Sequence, residues 1–322
     1  MTVQIAVIDD WQGVARDVVD WSALAAIGQV HFLPDYPADN ATLAQRLQRF
    51  EVICVMRERT PFDGALLKRL PNLKLLVTGG LRNAALDLKA ATALGISVCG
   101  TDSYKHAAPE LTWALIMALT RNLVAEANSL RSGGWQLGLG GDLNGKTLGI
   151  LGLGSIGSKI ARFGQAFGMR VIAWSEHLTP ERAADAGVTW VSKRELFEQA
   201  DVLSIHLVLS ERSRGLVDAQ ALSWMKPDAL LINTARGPIV DEAALIHALS
   251  QHHLKGAALD VFEHEPLPAD HPFRTLPNVL ATPHIGYVSQ QNYHLFYTQM
   301  IEDIQAWAAG TPIRLLTDAA VV

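Results

Sequence analysis

Short apolar runs alternate with stretches of helical periodicity along most of the chain. Short apolar runs bounded by polar or glycine-rich turns are typical of strands that are buried on both faces. The predicted strands are 4–8, 30–33, 52–56, 73–77, 95–99, 148–151, 169–174, 202–207, 229–233, 256–262 and 278–282. The predicted helices are 21–26, 41–50, 65–70, 86–94, 109–129, 158–167, 194–199, 241–249 and 292–309. Strands alternating with helices predict an α/β fold of doubly wound parallel sheets, covered by helices on both faces.

The most informative stretch is Leu148–Gly157, where a buried-strand run leads into the pattern G-x-G-x-x-G. The residues that follow have apolar side chains at helical spacing, and a second apolar run then completes a βαβ unit. In such a unit Gly152 allows a tight turn, Gly154 lets backbone approach a pyrophosphate, and Gly157 lets the helix pack on the strand. The helix N-terminus offers free N–H groups to the anion. We therefore predict dinucleotide binding; the alternative is a structural turn, which glycine also serves.

Composition is that of a globular protein, and 322 residues favour about two domains. The formal net charge is −5, and no dense cluster of Lys and Arg indicates a nucleic-acid or anionic-membrane partner. Cys54 and Cys99 lie in apolar runs, which predicts buried free thiols in a reducing compartment. The N-terminus resembles no secretory leader, and no apolar run reaches membrane-spanning length, so we expect a cytoplasmic protein.

The predicted helix 109–129 is apolar over more of its circumference than packing on one core requires. Burial within its own chain is one interpretation, and burial by a second subunit is the other. The glycine-rich segment 132–144 is predicted to be a loop. No long linker interrupts the chain, so we place the domain boundary in a tight hinge near Gly100–Thr101, where the first set of strand–helix units ends.

Charged residues and glycines follow two strands in the first part of the chain. Arg57 comes after the third predicted strand, and Gly79 and Gly80 follow the fourth. Because ligands of open α/β sheets bind at the carboxyl ends of the strands, these residues are candidates for ligand contact. The alternatives are a solvated loop charge for Arg57 and, for the glycines, an ordinary turn leading into Leu81.

Arg236, Glu265 and His284 each come shortly after one of three consecutive predicted strands. In one parallel sheet they would collect at the same edge as the glycine loop. A guanidinium can hold a carboxylate or polarise a carbonyl, and an imidazole can give a proton to a developing alkoxide. A carboxylate beside the imidazole favours its charged form and orients it. Each residue alone could be an incidental surface group; together, after a dinucleotide motif, they indicate hydride chemistry on a 2-oxo acid.

Four segments occur in order along the chain: Gly152–Gly157, Asn233–Gly237, Leu259–Leu267 and Thr282–Gly286. Together they resemble the D-isomer-specific 2-hydroxyacid dehydrogenases, a family that includes glyoxylate/hydroxypyruvate reductases and phosphoglycerate dehydrogenases. The resemblance extends over nearly the whole chain. It implies a Rossmann-type dinucleotide-binding domain, 101–287, inserted into a flavodoxin-like substrate-binding domain, 1–100 and 288–322. It also implies a homodimer formed through the helix near residues 109–129.

The resemblance further implies a role for each matching residue, and no metal. His284 is the expected acid/base, Glu265 its partner and Arg236 the substrate anchor, while backbone amides near Gly79, Gly80 and Leu81 receive the substrate carboxylate. The predicted substrate-binding residues are Arg57, Gly79, Gly80, Leu81, Arg236 and His284. The predicted cofactor-binding residues are Gly152, Gly154, Ser155, Ile156, Gly157, Ser175, Glu176, His206, Thr234, Ala235, Asp260 and Gly286.

Two positions depart from the family pattern. Members that use NAD often have Asp at the end of the second dinucleotide strand, where this chain has Ser175 followed by Glu176. Loss of the Asp permits the 2′-phosphate of NADP, but no Arg follows directly to bind that phosphate and Glu176 would repel it. NAD is therefore predicted, with NADP left open. The proline usual after the strand histidine is also missing, since Leu207 and Val208 follow His206.

The sequence therefore predicts an oxidoreductase that transfers a hydride between a nicotinamide cofactor and a small 2-oxo acid or D-2-hydroxy acid. One alternative is an NAD(H)-sensing, corepressor-like regulator on the same fold, for which a disrupted Arg–Glu–His set or a long interaction tail would be expected. Another is a formate or phosphite dehydrogenase; a formate enzyme would be expected to differ around Arg236 and to have Gln in place of Glu265. Which 2-hydroxy acid is the substrate stays open.

Overall fold

The computed structural model describes residues 2–33 and 39–317. The chain divides into two compact units. Unit 1 consists of Met1–Tyr104 together with Val288–Val322, and unit 2 consists of Lys105–Tyr287. The ends of the expected substrate-binding domain, Met1 and 318–322, lie outside the described residues.

Both units are built from alternating strands and helices. The strands are β1 (Val3–Val7), β2 (Gly28–Phe32), β3 (Val52–Val55), β4 (Leu75–Thr78), β5 (Ser97–Gly100), β6 (Thr147–Leu151), β7 (Arg170–Trp174), β8 (Thr189–Trp190), β9 (Val202–Ile205), β10 (Leu230–Asn233), β11 (Gly256–Leu259) and β12 (Val279–Ala281). The α-helices are α1 (Ala15–Val18), α2 (Asn40–Leu47), α3 (Gly64–Leu67), α4 (Leu88–Ala93), α5 (Ala107–Thr120), α6 (Leu123–Arg131), α7 (Ser155–Ala166), α8 (Pro180–Asp185), α9 (Lys193–Gln199), α10 (Ala219–Ser223), α11 (Glu242–Ser250) and α12 (Gln290–Ala308). Short 3-10 helices cover Trp21–Leu24, Gly237–Ile239 and Pro272–Arg274.

Unit 1 contains a five-stranded parallel sheet in the order β2-β1-β3-β4-β5. Every residue of β3 and β4 is buried, which explains why these strands are unbroken apolar runs. Aspartates begin three of its helices, because the side chains of Asp39, Asp63 and Asp87 accept first-turn amides. Helix α12 packs against β4 and buries Phe296 and Tyr297, so the last long helix completes a sheet that begins at the other end of the chain.

Unit 2 contains a seven-stranded parallel sheet in the order β12-β11-β10-β9-β6-β7-β8. Successive strands are added on one side of β6 as far as β8 and then on the other side from β9, so the switch point lies between β6 and β9. One apolar cluster joins the sheet to α5 and α7, and another joins it to α9, α10 and α11. Parallel sheets in both units confirm the predicted fold class.

The long helix predicted over 109–129 is wrong, because two helices stand in its place. Helix α5 ends at Thr120, and α6 begins at Leu123. Between them Asn122 has a φ of 51°, a left-handed conformation that interrupts a helix and that Asn tolerates better than most residues. Only α5 contributes to the core, through residues such as Leu115 and Ile116, whereas α6 buries none of its residues.

Several short elements were not predicted, among them α1, α8, α10 and β8. Each has six residues or fewer, too short for an apolar periodicity to stand out. The strand predicted over 256–262 ends at Leu259. The carboxylate of the next residue, Asp260, accepts hydrogen bonds from Thr282 and Ile285 outside the sheet. Cys54 and Cys99 are buried free thiols, as predicted. Within the described ranges, no helix combines the length and the apolar character needed to cross a bilayer.

Candidate active site

The glycine loop follows β6 and leads into α7 at the switch point of the unit 2 sheet. Gly152 has a φ of 102°, which an L side chain rarely adopts, and its N–H donates to the carbonyl of Trp174 at 2.9 Å. Gly157 lies so close to β6 that a Cβ there would be 2.1 Å from the carbonyl oxygen of Gly152. The two glycines therefore let the chain turn sharply and let α7 approach the strand.

Gly154, in contrast, has nothing within 4 Å of the position its Cβ would occupy, and it is exposed. Its backbone is the N-cap of α7, so the amides of the first turn, from Ser155 to Gly157, are directed beyond the helix end. Open space in front of a helix N-terminus and unused amides are what a pyrophosphate requires. The residues of the loop thus fit a dinucleotide.

The residues expected at the adenosine ribose follow β7. Ser175 is half-buried, and Glu176 and His177 are exposed. Arg212, in the segment after β9, lies at this turn: its guanidinium is 2.9 Å from Nε2 of His177. The loop therefore has a carboxylate and, through a contact distant in sequence, a positive charge.

His206 follows β9 and is held beside the glycine loop. The backbone N–H of His206 donates to Leu151 O at 2.8 Å. The imidazole Nε2 shares a hydrogen bond of 2.8 Å with the hydroxyl of Ser204. Burial lowers the pKa of His206 to about 3, so the imidazole is neutral near neutral pH. His206 therefore supplies shape and hydrogen bonding rather than charge.

The turn after β10 presents Arg236. The side chain of Asn233 accepts from the Ala235 amide at 3.1 Å and donates to Arg236 O at 3.0 Å, which closes the turn locally. Thr234 is tied to α5 by a 2.7 Å bond between its hydroxyl and that of Thr112. Because the Thr112 hydroxyl donates to Ala108 O, Thr234 is the donor of this pair. These bonds fix the backbone from which the half-buried Arg236 extends.

Glu265 and His284 are in direct contact. Nδ1 of His284 lies 2.5 Å from Oε2 of Glu265, while the other carboxylate oxygen accepts the Phe262 amide at 2.9 Å. The side chain of His284 is 21% exposed and that of Glu265 is 33% exposed, so solvent can reach the pair. The ring of Tyr287 packs edge-on against the imidazole with centroids 5.5 Å apart. The pair predicted from the sequence is thus brought together, with its orientation fixed on both sides.

Asp260 lies beneath the turn that carries His284 and is fully buried. It accepts from the Thr282 hydroxyl at 2.6 Å and from the amides of Ile285 and Gly286 at 2.8 Å each. Burial raises the pKa of its carboxyl, and these hydrogen bonds act in the opposite direction. His284 has a φ of 52°, and the bonds to Asp260 hold the turn in this strained shape. The cofactor role expected for Asp260 stays a prediction; what the structure shows is a residue that positions His284.

In unit 1 the expected substrate-binding residues cluster after β3 and β4. Nη1 of Arg57 donates to Gly79 O at 3.4 Å, and its guanidinium covers Gly80. Two of the amides expected to receive a carboxylate have partners within the unit: that of Gly79 donates to Val55 O at 3.1 Å, and that of Gly80 donates to Thr101 Oγ1 at 2.8 Å. In the described part of the chain, only the Leu81 amide of these three lacks such a partner.

Several residues of these sites were not predicted. Asn83 donates to Arg57 O at 2.6 Å and to the Thr78 hydroxyl at 2.9 Å, so it braces residues 56–63, which we call the Arg57 loop. Thr101 accepts the Gly80 amide. A polar residue directly after an apolar strand was the available indication for Thr101. No group of three His, Cys, Asp or Glu side chains placed to hold a metal ion occurs among the described residues.

Comparison with known proteins gives consistent matches. Residues 113–286 match the sequence model of the family described as D-isomer specific 2-hydroxyacid dehydrogenase, NAD binding domain. The glyoxylate reductase of Aeropyrum pernix is 38% identical over 258 residues, which cover 77% of each chain. The D-3-phosphoglycerate dehydrogenase of Mycobacterium tuberculosis is 36% identical over 80% of this chain, but this chain spans only 49% of that longer relative. A phosphoglycerate oxidoreductase structure from Vibrio cholerae has a TM-score of 0.92 and 38% identity, covering 96% of this chain and 100% of that one.

A dinucleotide loop at a sheet switch point, with an imidazole–carboxylate pair at the same edge, defines a nicotinamide-dependent oxidoreductase. More narrowly, the chain belongs to the D-isomer-specific 2-hydroxyacid dehydrogenase family, as predicted. The match to an NAD-binding domain also confirms the predicted cofactor. The relatives named above are reductases, dehydrogenases and oxidoreductases, which supports the predicted oxidoreductase and not the regulator alternative.

Proposed function

We propose that this chain reduces a small 2-oxo acid to a D-2-hydroxy acid with NADH, and catalyses the reverse reaction. The observation that carries the proposal is the contact of 2.5 Å between His284 Nδ1 and Glu265 Oε2. This pair stands at the end of two strands of the sheet whose switch point holds the glycine loop. We assign residues 101–287 to dinucleotide binding and residues 1–100 with 288–322 to substrate binding.

His284 is the proton donor in this mechanism. Because Glu265 accepts at Nδ1, the proton on that nitrogen is fixed and Nε2 is the nitrogen that exchanges a proton with the substrate oxygen. During reduction Nε2 gives its proton to the developing alkoxide, and during oxidation it takes the hydroxyl proton. The carboxylate of Glu265 stabilises the imidazolium and holds the ring plane. When bound, the nicotinamide cofactor supplies or accepts the hydride.

Arg236 and the Arg57 loop provide the groups that recognise a 2-oxo acid. The guanidinium of Arg236 extends from a turn fixed by Asn233, and it is suited to polarising the carbonyl or holding the carboxylate. In unit 1 we assign the Leu81 amide and Arg57 to the carboxylate, since the amides of Gly79 and Gly80 already have acceptors. The bond between the Gly80 amide and Thr101 must break if Gly80 is also to bind substrate.

The cofactor is proposed to lie along the glycine loop, with its pyrophosphate at the amides of Ser155 and Ile156 in front of Gly154. Glu176 is exposed at the end of β7, where it can accept from the ribose hydroxyls and repel a 2′-phosphate. Arg212, at His177, acts against that preference. We propose NAD as the working cofactor because the carboxylate belongs to the β7 turn itself.

We also propose a homodimer formed through α6 and the segment that follows it. Glu126 accepts the amides of Leu137 and Gly138, which folds the segment back along the helix. The folded-back segment and α6 expose apolar side chains, an unusual concentration for a free surface. These are Leu123, Val124, Leu130, Trp135, Leu137 and Leu139. Sedimentation at micromolar concentration should give a dimer, and Leu130→Glu with Leu137→Glu should give a folded monomer. A monomeric wild type would refute this assembly.

The activity is tested by following NADH and NADPH oxidation with glyoxylate, hydroxypyruvate, 3-phosphohydroxypyruvate and pyruvate. At least one of the four should be reduced. Glycolate, the product from glyoxylate, is achiral, so chiral analysis is applied to the products of the other three, which should be D-isomers. His284→Ala should lower kcat by about a hundredfold or more while the Kd of NADH stays near that of the wild type. His247→Ala, on the exposed side of α11, is the matched control and should retain activity. Binding of NADH without reduction of any 2-oxo acid would favour the regulator instead. The cytoplasmic location stays a prediction.

A further inference from the structure

Glu265 lies on a connection that has little regular structure of its own. Between β11 and β12 only the 3-10 turn Pro272–Arg274 is regular. We call residues 260–271 the Glu265 loop. Since Glu265 contacts His284 at 2.5 Å, small displacements of this loop would separate the pair. Contacts from residues outside the loop are therefore needed to keep Glu265 beside His284.

One carboxylate binds the Glu265 loop at two places. Glu242, in the first turn of α11, accepts the amide of Glu263 through Oε2 at 3.2 Å. Its other oxygen lies 3.0 Å from Nε2 of His271, at the far end of the loop. The side chains of Glu242 and His271 are mostly buried, at 18% and 14% exposure. Glu242 thus joins the beginning of the loop to its end.

His271 is oriented to serve as the donor in this contact. Its Nδ1 accepts the Phe273 amide at 3.2 Å, and its ring packs on that of Phe273 with centroids 5.0 Å apart. Because Nδ1 is an acceptor, the neutral ring has its proton on Nε2, which faces Glu242. The bond to Glu242 therefore exists whether the imidazole is neutral or charged.

The peptide between Phe262 and Glu263 is the point at which these contacts meet the catalytic pair. A Cβ on Gly237, directly after Arg236, would lie 2.0 Å from Phe262 C and 2.6 Å from Glu263 N, so the Arg236 turn rests against this peptide. The N–H of the same peptide goes to Glu242. The preceding amide, that of Phe262, goes to Oε1 of Glu265. The two amides are joined through Phe262, so a displacement of Phe262 would move the Glu265 carboxylate.

We propose that Glu242 and His271 are positioning residues for proton transfer, which keep the Glu265 carboxylate in register with His284. The proposal rests on the proposed function, because it assigns these residues to the same acid/base step. Neither needs to touch substrate or cofactor. Both act through the Phe262–Glu263 peptide, and their effect should be on kcat rather than on cofactor affinity.

The test compares Glu242→Ala with Glu242→Gln and with Asp241→Ala. Asp241 caps the same helix by accepting the Ala244 amide, and among the described residues no hydrogen bond joins its side chain to the Glu265 loop, so its variant controls for loss of helix stability. Glu242→Gln retains an oxygen for the Glu263 amide and should keep most of the activity. Glu242→Ala should lower kcat by between about tenfold and a hundredfold, with the Kd of NADH unchanged. Asp241→Ala should have a kcat near that of the wild type.

A double-variant cycle separates positioning from general stabilisation. If Glu242 acts through Glu265, the kcat of the double variant Glu242→Ala/Glu265→Gln should be close to the kcat of Glu265→Gln alone. Losses of kcat that multiply would show that the two residues act independently and would overturn the proposal. An unchanged kcat in Glu242→Ala, or an equal loss in Asp241→Ala, would overturn it as well.

A second readout does not depend on turnover. In Glu242→Ala, hydrogen exchange of the peptide that contains the Phe262 and Glu263 amides should accelerate, and the downfield Nδ1 proton resonance of His284 should shift or disappear. Asp241→Ala should leave both as in the wild type. If the wild type reduces no 2-oxo acid, the proposed function fails while these two measurements still decide whether Glu242 positions Glu265. Unchanged exchange and an unchanged resonance refute the positioning role itself.

Discussion

Two glycines of the dinucleotide loop should respond in opposite ways to the same substitution. A methyl at Gly157 would lie 2.1 Å from the carbonyl oxygen of Gly152, whereas carbon and oxygen in contact are about 3.3 Å apart. The first turn of α7 must therefore move by about 1.2 Å from Gly152, the residue directly after β6, and backbone cannot yield as a flexible side chain does. Overpacking of this kind costs about 3 kcal/mol, from which the better helix propensity of alanine recovers about 1 kcal/mol. Gly157→Ala should thus lose about 2 kcal/mol of the free energy of unfolding.

Gly154→Ala places the same methyl in open space, since nothing lies within 4 Å. Its φ of −91° and ψ of −157° suit any residue, so the free energy of unfolding should fall by only about 0.5 kcal/mol, the cost of alanine at an N-cap. The space the methyl takes is that proposed for the pyrophosphate. The Kd of NADH should therefore rise at least tenfold, about 1.4 kcal/mol.

Urea unfolding and NADH fluorescence titration measure the two quantities. Wild-type NADH affinity in Gly154→Ala would refute the assignment of the loop to the pyrophosphate. Equal stability of Gly154→Ala and Gly157→Ala would refute the argument from helix–strand contact.

Two further predictions concern cofactor choice and pH. Glu176→Ala should weaken NADH binding and improve NADPH binding, because the ribose hydroxyls lose an acceptor and a 2′-phosphate loses a repelling charge; an unchanged ratio of the two Kd values would show that another residue decides. Burial raises the pKa of Asp9 to about 6, above its unfolded value, so its carboxyl adds stability that is fully present below about pH 4 and is lost as the pH rises through about 6. In urea unfolding, the free energy of unfolding of the wild type relative to that of Asp9→Asn should fall by about 3 kcal/mol between about pH 4 and pH 7. A difference between the two proteins that does not change with pH would contradict the burial argument.

Apolar patterning was sufficient for every described strand except the two-residue β8, and it was insufficient for the contacts that fix the site. Strands such as β3 and β10 are buried on both faces, so composition alone identifies them. The break between α5 and α6 depends on a left-handed Asn122, which apolar periodicity does not report. The contact between Glu265 and His284 was predictable because each residue follows a strand of the same sheet. Asp260 and Glu242 were not recognised as supports, because hydrogen bonds to particular amides depend on loop geometry that spacing does not encode.

The division of unit 1 between the two ends of the chain has a consequence for biosynthesis. Phe296 of α12 lies against Gly79, and Tyr297 is buried beside it in the unit, yet α12 leaves the ribosome only after all of unit 2. At 5–20 residues per second, the roughly 180 intervening residues take on the order of ten to forty seconds. During that interval the face of β4 that α12 covers is open to water and to chaperones, whereas unit 2 is continuous and can fold as it emerges. The nascent chain should therefore acquire protease resistance in its middle segment first and in its N-terminal segment last.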